Sequence, residues 1–156
     1  MCRCGSSGCI GSYAGCYGIL RTAYDAPTDH ILAKFIPKEQ MDQLAADART
    51  GDQRIRFAFR QAADVLAIGL SRLMTIYGSM AITITGPGVA YFDLMKDYFN
   101  GHFEKNLRIR RVSHMPTISV ESGEPGLVFS SNAIVSLAAF DSEYAATRQI
   151  ERARST

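Results

Sequence analysis

From Asp52 to about Tyr77, apolar side chains recur at steps of three and four: Ile55, Phe59, Ala62, Leu66, Leu70, Leu73 and Tyr77. Such spacing puts them on one face of a helix, because 3.6 residues complete each turn. Ala63, Ala67 and Met74 widen the face, which predicts a deeply packed helix. Thr50-Gly51-Asp52 supplies a break and an N-cap before it, and Gly78 suits a C-cap. A helix of this length needs partners on more than one side, and the rest of the chain must provide them.

The neighbouring segments can do so. Ser12 to Tyr24 reads as a short helix with Tyr13, Cys16, Tyr17 and Leu20 on one face. Glu39 to Arg49 reads as another, with Met41, Leu44 and Ala48 inward, while Ala26 to Lys38 holds two prolines without a period and reads as loop. Met80 to Thr85 alternates like a strand and runs into Gly86-Pro87-Gly88, followed by a predicted helix from Val89 to Phe103. Arg108 to Val112 and Pro116 to Val120 are candidate strands, and an apolar helix is expected from Leu127 to Phe140. The order of elements predicts an α/β layer over residues 1–147, with 148–156 as a frayed, charged tail.

A chain of 156 residues with 47% apolar and 21% charged residues can bury one core. Its net charge of +2 gives no electrostatic case for nucleic-acid or membrane binding. No run reaches the roughly 18 apolar residues a span needs, since Arg72 interrupts the longest, and no secretory h-region is seen. Those features predict a cytoplasmic protein, a setting where clustered cysteines hold metal or do redox work more often than they form disulfides.

The cysteine cluster is at the start, in Met1-Cys2-Arg3-Cys4-Gly5-Ser6-Ser7-Gly8-Cys9-Ile10-Gly11. One residue between Cys2 and Cys4 makes a relaxed disulfide difficult, and the C-x-x-C of thioredoxin-like chemistry is absent. Three thiolates on a glycine-rich knuckle suit a structural zinc, with inert or redox-active cysteines as the competing readings. The knuckle holds no fourth ligand, and Cys16 reads as a small packed residue. His30, His102 and His114 are the only imidazoles in the chain; each reads as a surface or packed histidine, with His30 the best substitute ligand. Arg108, Arg110 and Arg111 read as a solvated strand edge in preference to a DNA contact, and Asp93 with Asp97 as the wet face of a helix. Gly86 and Gly88 stand where α/β folds place phosphates, although Gly-Pro-Gly is equally a plain tight turn.

Cys2 to Gly11 resembles the C-x-C-G-x-x-G-C-x-E signature of ROK proteins, the bacterial sugar kinases and sugar-responsive repressors. Five of its six fixed positions match. The strand closing in Gly86-Pro87-Gly88-Val89-Ala90 is similar to the family's glycine turn, and Gly123 to Ala139 to its closing Gly/Ala-rich helix. The resemblance implies an actin-like ATPase (ribonuclease H-like) fold, of which this chain is the C-terminal half. It implies structural zinc on Cys2, Cys4 and Cys9, with the family's fourth ligand, an upstream histidine, lying outside this sequence together with the catalytic lobe. Gly86 and Gly88 would adjoin a nucleotide only in a kinase.

Two departures bear on activity. Gly11 replaces the glutamate that bonds a sugar hydroxyl in the family, and Pro87 removes a backbone N–H. Both predict a non-enzymatic role: the effector-sensing and dimerisation part of a sugar-responsive transcriptional regulator. The alternative is half of a hexose kinase, inactive as this piece. The implied partners are a sugar or sugar-derivative effector, a second copy of the chain, and DNA only through a domain absent from this sequence.

Overall fold

The computed structural model describes residues 4–27, 36–109 and 116–122, together with Cys2 and Leu137. The chain runs through α1 (Gly11–Ala14), α2 (Cys16–Ala23), α3 (Lys38–Thr50), α4 (Gln53–Tyr77), β1 (Ile82–Ile84), a 3-10 segment (Pro87–Leu94), α5 (Lys96–Ile109) and β2 (Ile118–Val120). The two strands pair in parallel, with Ile82 opposite Ile118, Thr83 opposite Ser119 and Ile84 opposite Val120. Parallel strands need a crossover, and the 3-10 segment with α5 supplies it. The expected α/β layer is thus present as one short parallel pair on a mostly helical body. The expected helix from Leu127 to Phe140 (Leu137 apart), the tail 148–156, His30, His114, Arg110 and Arg111 lie outside the described residues.

The α3–α4 corner is built from local chemistry. Gly51 ends α3 in the left-handed region at φ 116°, where a glycine is favoured. The Asp52 carboxylate then accepts from the backbone N–H groups of Arg54 and Ile55 at 2.9 and 3.1 Å. Arg56 Nε donates to the Ala48 carbonyl at 2.7 Å, covering an end group of α3. Asp52→Ala should cost about 1 kcal/mol, read as a lower urea midpoint with unchanged slope.

Helix α4 buries Ile55, Ala58, Phe59, Ala62, Ala63, Ala67, Ser71 and Met74. That corrects part of the expected stripe, because Leu73 and Tyr77 are 43% and 69% exposed. Leu66 and Leu70 flank the core as half-buried residues. The alanines and Ser71 have short side chains, so the helices that pack on α4 can approach closely along their line. The buried face therefore follows the small residues, rotated from the line through the large ones.

Opposite α4, α5 presents Phe99, Phe103 and Leu107 at every fourth position, all at most 1% exposed. Phe99 stacks on Phe103 with centroids 5.4 Å apart and meets the edge of Phe92 at 5.6 Å. The single helix expected from Val89 to Phe103 is in fact broken at Met95, between the 3-10 segment and α5. Pro87 starts the 3-10 segment, and its tight turns bring Tyr91, Phe92 and Met95 into the core together. Arg108 is also corrected: it belongs to α5 and pairs with Glu104 one turn earlier, so no strand begins there.

Candidate metal centre

The first residues fold back on themselves through two glycine turns. Gly5 and Gly8 adopt φ +84° and +79°, the left-handed conformation that disfavours side chains. Cys2 N–H donates to the Ser6 carbonyl at 2.8 Å, and Gly5 N–H to the Cys2 carbonyl at 3.0 Å. These turns bring the sulfurs of Cys2, Cys4 and Cys9 within 4.8 Å of one another. Cys4 Sγ and Cys9 Sγ are 3.5 Å apart. Thiolates at the ~2.3 Å bond length of tetrahedral zinc would stand roughly 3.8 Å apart. The three sulfurs fit one face of such a shell, and their softness suits zinc.

The cluster is also arranged to ionise. The Ser6 backbone N–H, followed by the Cys2 and Cys9 thiols, pulls the Cys4 thiol down to about 7. Cys9 is pushed up to about 11, first by its hydrogen bond with Cys4, then by that with Cys2 and by partial burial. The arrangement thus favours the thiolate at Cys4 over that at Cys9. A divalent cation would replace the remaining protons.

Among the described residues, no histidine or carboxylate joins the three sulfurs. His102 is on α5, where its Nδ1 lies 3.0 Å from Asp64 Oδ1 on α4, within ion-pair reach but without hydrogen-bond alignment. Asp93 and Asp97 do not share a helix: Asp93 is in the last turn of the 3-10 segment, held by Arg49 at 2.8 and 2.9 Å, and Asp97 is in the first turn of α5. The Arg49 guanidinium holds the Asp93 carboxyl below the usual carboxylate range.

The knuckle is carried on α1 and α2, which form where one helix was expected. Gly15, at ψ 161°, breaks the helix. Arg21 is 5% exposed and donates through Nη2 to the Ser12 carbonyl at 2.8 Å, while its guanidinium lies over Tyr13. Ser12 Oγ donates to the Cys9 carbonyl at 2.6 Å, linking the helices to the last cysteine. Beneath them the Ile10 side chain reaches the position of Gly69 on α4. Neither Ser12 nor Arg21 stood out in the sequence. Gly15 and Gly18, one helical turn apart, were the available signal for close backbone approach. A Cβ on Gly18 would stand 2.6 Å from the Ser12 carbonyl oxygen and 2.7 Å from that of Tyr13. Both are backbone atoms, so Gly18→Ala should cost roughly 2–3 kcal/mol and weaken metal retention, measured by urea unfolding and metal content.

Gly86 and Gly88 are brought to a different place, the mouth of a cavity of about 360 Å³. Cys16, Ile19, Leu66 and Tyr91 line it from the helical side, so Cys16 is a half-buried wall residue whose thiol burial pushes up. Gly86 sits at φ +109° and accepts the Val89 N–H at 3.0 Å, a local turn with Pro87 between. Among the described residues the lining is mainly apolar and carries no cationic side chain.

The sequence matches no family model and no curated protein. The backbone is similar to the crystal structure of a ROK family glucokinase from Streptomyces griseus in complex with glucose and AMPPNP. The TM-score is 0.55 at 21% sequence identity, over 75% of this chain. The chain spans about 40% of the length of that enzyme. At that identity the likeness is one of fold.

Proposed function

We propose that this chain is part of a ROK-type sugar-responsive regulator, with a structural zinc on Cys2, Cys4 and Cys9 bracing an actin-like lobe. The observation that carries the reading is the convergence of the three signature sulfurs on a chain whose backbone resembles part of a ROK protein. Zinc would supply a fixed tetrahedral junction; the chain's own residues hold the turns, the thiols and the helices behind them. The Ser12 bond to Cys9 and the Arg21 bond to Ser12 would transmit that rigidity to α2 and the cavity wall. Sugar binding and self-association belong to this reading, and light scattering that gave a clean monomer would count against the latter.

Gly11, in place of the family's glutamate, supports the regulator over the kinase. It begins α1, and a Cβ added there would meet nothing within 4 Å. The family's glutamate would therefore fit, and its absence is a chemical difference, not a steric requirement. Gly11→Glu should raise stability by about 0.5–1 kcal/mol, because glycine is a poor helix residue and a carboxylate suits the first turn. Glucose titration of both chains by calorimetry then tests the sugar reading. Binding that strengthens in the variant supports a sugar cleft; none in either chain removes it.

The second reading, half of a sugar kinase, is favoured by the cavity beside Gly86 and Gly88 and by the nucleotide analogue bound to the glucokinase. Pro87 works against it by removing a donor at the turn. Saturable AMPPNP binding to this chain would favour the kinase half, and no binding would favour the regulator.

A further inference from the structure

Tyr17 is the second residue of α2, and its phenol oxygen is buried without a hydrogen-bond partner among the described residues. Orphaned buried hydroxyls are rare in native proteins and point to something that completes them. The polar groups beside it are the Ser12 side chain and the Cys2 thiol. The Ser12 hydroxyl already donates to the Cys9 carbonyl at 2.6 Å. Cys2 Sγ belongs to the three-sulfur cluster, and once ionised it becomes a far better acceptor than a thiol.

We propose that Tyr17 donates its phenolic hydrogen to the Cys2 sulfur in the metal-loaded knuckle, making it a positioning residue for that ligand. The inference rests on the metal reading above. A bound thiolate keeps lone pairs directed away from the cation, and a fixed donor on one of them sets the Cα–Cβ–S orientation. It also draws charge from the sulfur, as outer donors to metal ligands do. The backbone that carries Tyr17 is fixed locally: α1 and α2 approach closely at Gly18, and Gly15 caps the start of α2.

The test compares the full chain with Tyr17→Phe, loaded with zinc or with cobalt(II). The variant should still take about one metal per chain. Its zinc affinity, by competition with a chromophoric chelator, should fall about 10-fold, the low end for loss of an outer-shell partner. Its cobalt–thiolate charge-transfer band should shift, a change that loss of packing alone does not produce. Unchanged affinity and band would overturn the proposal, as would a folded variant that binds no metal, since the phenol would then be a ligand itself. If the unaltered chain binds no metal, the metal reading fails, and both chains report it. Should Tyr17→Phe not fold, fluorotyrosine labelling of a Tyr13→Phe chain replaces it. One fluorine resonance should move on metal addition, and no movement overturns the proposal.

Discussion

Chelation of the zinc-loaded chain should release three reactive thiols and loosen the knuckle and α1, while α2, which buries Ile19, Leu20 and Ala23, stays folded with α3, α4 and α5. The knuckle has little else to hold it: Cys4 to Gly8 are exposed, and its backbone bonds are those of tight turns. The core of α3, α4 and α5 has its own apolar centre in Leu44, Phe59, Phe99, Phe103 and Leu107. Structural zinc contributes on the order of 10 kcal/mol in zinc-finger peptides, and here that energy would be spent on the N-terminal segment alone. Thiol titration with hydrogen exchange checks both halves. Equal thiol reactivity before and after chelation would mean no metal, and loosening of α4 would mean that the site supports the whole fold.

The same site predicts a pH dependence with a definite sign. Cysteine ligands would bind as thiolates, so metal binding would compete with protons. The Cys4 thiol, lowered to about 7 in the folded chain, favours the knuckle above the ordinary thiol range and loses that advantage as pH falls through about 7. Cys9, raised to about 11, would keep its proton near neutral pH unless a metal displaced it. Metal content at fixed free zinc should therefore fall from pH 8 to pH 6 and recover on return. A flat or inverse profile would exclude thiolate ligation.

Phe99→Ala should have the largest effect of any single substitution in the core, about 3–5 kcal/mol. Phe99 is 0% exposed and contacts rings on both sides, Phe92 at 5.6 Å and Phe103 at 5.4 Å. Its loss leaves a cavity between the 3-10 segment and α5 that neither rigid ring can fill. Against a typical total stability of about 5–15 kcal/mol, much of the population would unfold in mild denaturant. The neighbouring Tyr98 provides the contrast, being 39% exposed with Arg60 4.2 Å over its ring. Tyr98→Ala should cost under about 1 kcal/mol. Urea midpoints that rank the two in the reverse order would place the core elsewhere.

Much of this was legible in the amino-acid order because the code involved is short-range. Gly51 and Asp52 mark the α3–α4 corner by conformations and caps that involve only neighbouring residues. Cys2, Cys4 and Cys9 are few enough residues apart that two glycine turns suffice to bring their sulfurs together. The strand at Ile82–Ile84 announces itself by alternation and that at Ile118–Val120 is a candidate, while their parallel pairing appears in the fold. Sequence alone thus marked where three thiols could meet and most helical and extended segments, though not the helical place of Arg108 or the breaks at Gly15 and Met95.

Tertiary structure decided the rest, because it depends on surfaces that the local sequence does not contain. Which side of α4 is buried follows from how closely its neighbours approach, and that favours Ala63, Ala67 and Ser71 over the larger Leu73 and Tyr77. The breaks at Gly15 and Met95 go with packing between elements, Gly18 against the Ser12 and Tyr13 carbonyls and Tyr91 and Phe92 in the core. Only the folded chain sets Ser12, Tyr17 and Arg21 behind the cysteines. Side chains on separate elements become neighbours through packing, and no spacing along the chain encodes that contact.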